Sequence, residues 1–183
     1  MLRKWAENNL QENSIVLDVG CGEFFGENWK GFDEYVVGVD IFYEWIEKGI
    51  PPHIKKGDEE ERGKRDVVIA DANRLPIREK SVDLVVDYGC SKVMAPTDLS
   101  IDWEYPIGHG TEIIKQCLKV LKGRGVYVWL TDLSHQLFEL EEELGVKLIG
   151  YVPCLKGRAI GFYKSQGSGS SISKRLSNFF SLH

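Results

Sequence analysis

The chain has 183 residues, 43% hydrophobic and 28% charged, with 23 Lys and Arg against 28 Asp and Glu and a formal charge of −5. That length fits one domain whose core needs no disulfide or metal staple, and the negative balance argues against bulk binding to nucleic acid. No apolar run reaches the ~18 residues of a membrane span and no leader pattern opens the chain, so a cytoplasmic protein is expected.

Leu2, Trp5 and Leu10 give the N-terminal stretch a modest apolar face suited to packing. Ile15–Val19 is an apolar run that ends in Gly20-Cys21-Gly22, and Tyr35–Asp40 is a second. The stretch 44–65 is charged and short of apolar periodicity, so a brief helix and an exposed loop are expected there. Residues 66–71, Val82–Asp87 and residues 125–131 supply three more runs. All five are apolar through their middles, as strands buried on both faces of a parallel sheet are. Residues 91–110 form a connection containing Met94, Trp103, Tyr105 and His109. At ~20 residues it is long enough to expect a role in reading a substrate. Ile113, Ile114, Cys117, Leu118 and Leu121 predict a helix over 111–122 with Gly123 as its stop. Leu133, Leu137, Leu140 and Leu144 predict another over 133–144, and residues 146–152 and 159–164 predict an antiparallel hairpin. The expected fold is α/β and doubly wound: a mostly parallel, seven-stranded sheet with a C-terminal antiparallel hairpin, spanning residues 1–164. Residues 165–183 read as a Gly/Ser linker and a short tail. That tail is either frayed or amphipathic and able to dock on a partner.

Open α/β sheets bind ligands beyond the carboxyl ends of their strands, and here those ends carry the chemistry. The first strand runs through Asp18 into Gly20-Cys21-Gly22, where glycines let a backbone approach a ligand closely. Asp40 ends the second strand 20 residues after Gly20, a carboxylate suited to two ribose hydroxyls. A dinucleotide GxGxxG is broken by Phe25, and no phosphate-binding Gly-Lys-Ser/Thr loop is present. Cys21, Cys90, Cys117 and Cys154 lack the spacing of a zinc or redox pair, and no metal site is expected.

The order Val16-Leu17-Asp18-Val19-Gly20-Cys21-Gly22, then Val37-Gly38-Val39-Asp40, then Ala70-Asp71-Ala72-Asn73-Arg74-Leu75-Pro76 and Ser81-Val82-Asp83-Leu84-Val85-Val86-Asp87 resembles the class I S-adenosylmethionine-dependent methyltransferases. The stretch 119–125 is similar to theirs too. The resemblance implies S-adenosyl-L-methionine as cofactor. Asp18 and the Gly20, Cys21 and Gly22 backbone would hold its methionine end, and Asp40 its ribose. Ile41 would lie against the adenine, Asp71 would receive the adenine amino group and Ala72 would add a backbone contact. Asp87 would sit near the methyl group, with a turn-forming role as its other reading. Asp87 and His109 are the candidate catalytic residues, His109 because an imidazole can serve as a base near neutral pH. Phe24 departs from the family, which often has glycine there. Asp87-Tyr88-Gly89-Cys90-Ser91 lacks the paired prolines of enzymes that methylate base or glutamine amino groups. The Asp-x-Gly-Cys form is more similar to branches that act on small molecules or protein lysines, and with little architecture added to the domain a small-molecule acceptor is expected. A protein lysine acceptor, or a non-catalytic cofactor-binding scaffold or partner subunit, stands as the alternative.

Overall fold

The computed structural model describes residues 2–23, 25–42, 44, 64–87, 90, 109–131, 144, 146–153 and 159–165. β1 (Ile15–Val19) is flanked by two parallel neighbours, β2 (Tyr35–Asp40) and β4 (Val82–Asp87). β3 (Arg65–Ile69) continues the parallel pairing beyond β2, and β5 (Leu121–Thr131) continues it beyond β4. β6 (Val146–Pro153) and β7 (Ala159–Ser165) pair antiparallel, with β7 inserted between β5 and β6. Among the described residues the order is β3-β2-β1-β4-β5-β7-β6 in one sheet. Strand order reverses between β1 and β4, so a cleft opens at their carboxyl ends.

Alternation of side chains across the sheet divides the core in two. On one face Leu17, Val19, Val85, Tyr127 and Trp129 pack with Ile113, Ile114, Cys117 and Val120 of helix α3 (His109–Val120). On the other, Val16, Leu84, Val86 and Val128 pack with Trp5 and Ala6 of helix α1 (Leu2–Asn9). Phe25 of the single-turn helix α2 (Phe25–Asn28) joins that second cluster, as do Trp29 and Phe32. The packing role expected of the N-terminal face is thus seen at Trp5, which is 1% exposed.

Three boundaries differ from the sequence reading. The helix expected over 111–122 is α3, which begins at His109 and ends at Val120. Leu121, which shares the helical spacing, is instead the first residue of β5 and pairs with Val82. The register shifts before pairing resumes at Val126 opposite Leu84. The chain folds over itself there at Gly125, where a Cβ would stand 2.7 Å from Leu121 Cδ2 and 3.1 Å from the Asp83 carbonyl. The third strand starts at Arg65 and stops at Ile69, because Asp71 caps a 3-10 turn over Ala72–Arg74 instead of extending the strand. The predicted helix over 133–144 lies outside the described residues apart from Leu144. Most of the 44–65 stretch, most of the 91–110 connection and residues 166–183 lie outside them too.

Candidate functional site

The turn after β1 is held open by glycine conformation. Gly20 and Gly22 adopt φ of 70° and 54°, in the left-handed region where a side chain is strained. The Gly20 and Cys21 amides both donate to the Val39 carbonyl at 2.8 and 3.2 Å, which pins the turn to the end of β2. Asp40 completes the attachment. Its Oδ2 accepts from the Gly22 amide at 3.0 Å and its Oδ1 from the Phe42 amide at 2.9 Å. A carboxylate offers about four lone-pair sites, so Asp40 keeps capacity for two further hydroxyl donors while it organises the loop. Ile41 beside it is 46% exposed, an apolar surface next to a carboxylate at the cleft. Gly38 serves packing beneath the turn, since a Cβ there would come within 2.9 Å of both Cys21 Sγ and Phe25 Cε2.

Asp18 is buried under the same turn, and its Oδ2 accepts a 2.7 Å bond from the Trp29 indole. Burial pushes its carboxyl up to about 6, the indole bond opposes that rise, and the charges of Asp87 and Asp40 add to it. Trp29 is anchored at its other end by Arg65. The guanidinium donates to the Trp29 carbonyl at 2.6 Å and to the Phe32 carbonyl, and also to the Glu34 and Lys64 carbonyls at 2.8 Å.

The raised Asp18 pKa makes stability depend on pH. Between about pH 4 and 6 the folded chain holds a proton that the unfolded chain has released. This group's contribution to stability therefore falls as pH rises through that window and is flat above it. The span is about 2–3 kcal/mol at most. Urea unfolding of wild type and Asp18→Asn from pH 4 to 7 is expected to give a difference in stability that moves in the asparagine's favour as pH rises. A pH-independent difference would contradict the shift.

Asp87 ends β4 fully buried. Its Oδ1 accepts from the Cys90 amide at 2.8 Å and its Oδ2 from the Tyr127 hydroxyl at 2.9 Å. Asp71 stands exposed at the 3-10 turn, where Oδ1 accepts from the Asn73 amide at 2.8 Å, and Ala72 is buried behind it. Burial, and then the charges of Asp87, Asp40, Asp71 and Asp18, push the Cys90 thiol upward, so all four carboxylates act on this one side chain. His109 is the first residue of α3. Phe24 lies outside the described residues. Trp29, Cys90 and Tyr127 join this region, and Arg65 supports it from outside through the Trp29 carbonyl; nothing in the sequence patterning marks these partners.

Residues 17–129 match the family model described as a methyltransferase domain. No curated protein matches the chain by sequence. Among solved structures, the chain is similar to an S-adenosylmethionine-dependent methyltransferase from Clostridium acetobutylicum, at TM-score 0.64 and 16% identity over 91% of this chain and 89% of that one. A methyltransferase dependent on the same cofactor from Aquifex aeolicus gives TM-score 0.62 and 16% identity, with 89% and 87% covered. The [4+2]-cyclase SpnF gives TM-score 0.66 and 15% identity, with 90% and 79% covered. At these identities the likeness is one of fold.

Proposed function

The chain belongs to the S-adenosylmethionine-dependent methyltransferases of class I, the methyltransferase domain family matched over residues 17–129, and we propose that its methyl acceptor is a small molecule. S-adenosylmethionine, when bound, supplies an electrophilic methyl group on a sulfonium that a nucleophile attacks in line. The protein's part is to bind, align and exclude, and alignment alone is worth up to ~7–11 kcal/mol. Asp40 is the observation that carries the cofactor assignment. Two backbone amides hold its carboxylate at the end of β2, in a place where it can also accept two ribose hydroxyls. In this reading the Gly20, Cys21 and Gly22 backbone, with Asp18 behind it, holds the methionine end. Ile41 lies against the adenine, Asp71 accepts the adenine amino group, and Ala72 contributes a backbone contact. Asp87 is read as lying near the methyl group, and His109 is the candidate base. The absence of paired prolines after Asp87 supports a small acceptor over a nucleic-acid base.

A second reading, a cofactor-binding partner subunit without turnover of its own, is favoured by one feature. Asp87 is fully buried and both of its oxygens already hold protein donors. The two readings separate when the protein is incubated with S-adenosylmethionine and panels of small amines, phenols, carboxylic acids and lysine peptides. S-adenosylhomocysteine is followed by mass spectrometry. The proposal expects product with a small acceptor and a loss of about 10²–10⁴ in rate for His109→Ala if that imidazole is the base. Product only with lysine peptides would replace the small acceptor by a protein. Saturable cofactor binding with no product until a second protein is added would establish the subunit reading.

A further inference from the structure

The contact between Gly20 and Cys90 joins two elements that the cofactor reading treats separately. A Cβ on Gly20 would stand 2.6 Å from Cys90 Cβ and 3.2 Å from its Sγ, so the glycine turn is seated directly on the Cys90 side chain. Cys90 is itself held from beneath. Its amide donates to Asp87 Oδ1, and Tyr127 of β5, itself fully buried, donates its hydroxyl to Asp87 Oδ2. The turn after β1, the end of β4 and the middle of β5 are thereby connected in series: Gly20, Cys90, Asp87, Tyr127.

We propose that Cys90 and Tyr127 are positioning residues that act through Asp87 to fix the height of the glycine turn and so set the affinity of the cofactor site. This rests on the reading of residues 20–22 as the cofactor turn. The physical logic is that a buried carboxylate with two fixed donors has one orientation. Removing the Tyr127 hydroxyl takes one of the donors that fix the buried Asp87 carboxylate, and the carboxylate relaxes from that orientation. The Cys90 amide then loses its acceptor, and the side chain on which Gly20 rests is free to shift. The same geometry makes Asp87 a brace rather than a proton acceptor.

The test combines calorimetric titration with S-adenosylmethionine and the rate at which N-ethylmaleimide modifies Cys90, read by peptide mapping. Tyr127→Phe keeps the ring and removes only the hydroxyl. It is expected to weaken cofactor binding about tenfold and to speed Cys90 modification by a similar factor without cofactor, for a loss of one bond to a buried charge. Cys21 and Cys117, both buried, report whether the fold is intact by staying unmodified. If Tyr127→Phe does not fold, Cys90→Leu carries the same test, because a larger side chain beneath Gly20 lifts the turn directly. Cys90→Ser, which retains the Cβ contact, is expected to restore affinity to within about threefold of wild type. A folded Tyr127→Phe that melts earlier yet keeps wild-type affinity and Cys90 reactivity overturns the proposal and leaves a structural hydrogen bond. Failure of wild type itself to bind the cofactor overturns the cofactor reading and this inference with it, and the wild-type titration alone tells the two failures apart.

Discussion

Asp40→Ala is expected to weaken S-adenosylmethionine binding by at least about 100-fold, the largest effect of any single substitution at the cleft. The carboxylate does two jobs. It holds the Gly22 and Phe42 amides, and in the proposed reading it also accepts the ribose hydroxyls. Hydrogen bonds to a charged group are worth about 1.5–3 kcal/mol each, so losing two amounts to roughly 3–6 kcal/mol, and every 1.4 kcal/mol is tenfold in affinity. Asp40→Asn separates the jobs. An amide group has only one oxygen, so its NH2 must face either the Gly22 or the Phe42 N–H, and the loop loses one anchor. Binding by the asparagine variant is expected between wild type and alanine. An alanine variant that is folded and binds the cofactor as wild type does would remove Asp40 from the site.

The second large effect is on stability and lies away from the cleft. Arg65→Met is expected to lower the unfolding free energy by about 3 kcal/mol or more, because it removes the guanidinium's bonds to four backbone carbonyls, two of which, at Trp29 and Phe32, are buried contacts. For a domain of this size that is a fall of roughly 6–12 °C in Tm. Arg65 is 8% exposed, and its planar fork reaches four carbonyls at once. Lysine presents a point charge and cannot span them, so Arg65→Lys is expected to recover only a minor part of the loss. Thermal and urea melts of the three proteins decide it, and a lysine variant as stable as wild type would refute the fork argument. Because Arg65 also anchors the carbonyl of Trp29, whose indole bonds Asp18, the methionine variant is further expected to bind the cofactor more weakly even well below its melting temperature.

The parallel sheet was legible because its strands are buried on both faces. β1, β2 and β4 are apolar runs of five or six residues whose interiors are broken only at Asp18, Gly38 and Asp83, and they are too short for the helical reading that longer runs allow. The start of β5 was not legible, since Leu121 continues the apolar spacing of α3. Only its pairing with Val82, far away in sequence, decides where the helix ends. The placement of Asp40, Asp71 and Asp87 at or beyond the last apolar position of their strands follows from the same runs, and Asp18 stands one residue before the end of its own. What those carboxylates touch does not follow. Trp29 reaches Asp18 from a turn whose path the sequence does not encode, and Tyr127 reaches Asp87 across neighbouring strands. Arg65 sits at the end of a charged stretch that reads as solvated surface, yet it is buried, because four carbonyls take the place of water around its guanidinium. Asp71 caps a turn through one oxygen, a local bond that propensity describes well and that is compatible with a ligand on the same side chain.

The reversal of strand order between β1 and β4 also has a kinetic meaning. The β1 and β2 runs are close in sequence and can pair early in synthesis. The other edge of β1 is closed only by β4, where Asp83 accepts from the Ile15 amide across 68 residues of chain. Until Val82–Asp87 has been made and delivered, the strand that carries Asp18 and leads into the glycine turn has one side of its backbone unpaired. Closing so long a loop is slow, and an open apolar edge is a template for wrong partners. The order that creates the cleft therefore delays its assembly, and the nascent chain is most vulnerable to aggregation in the interval between its second and fourth strands.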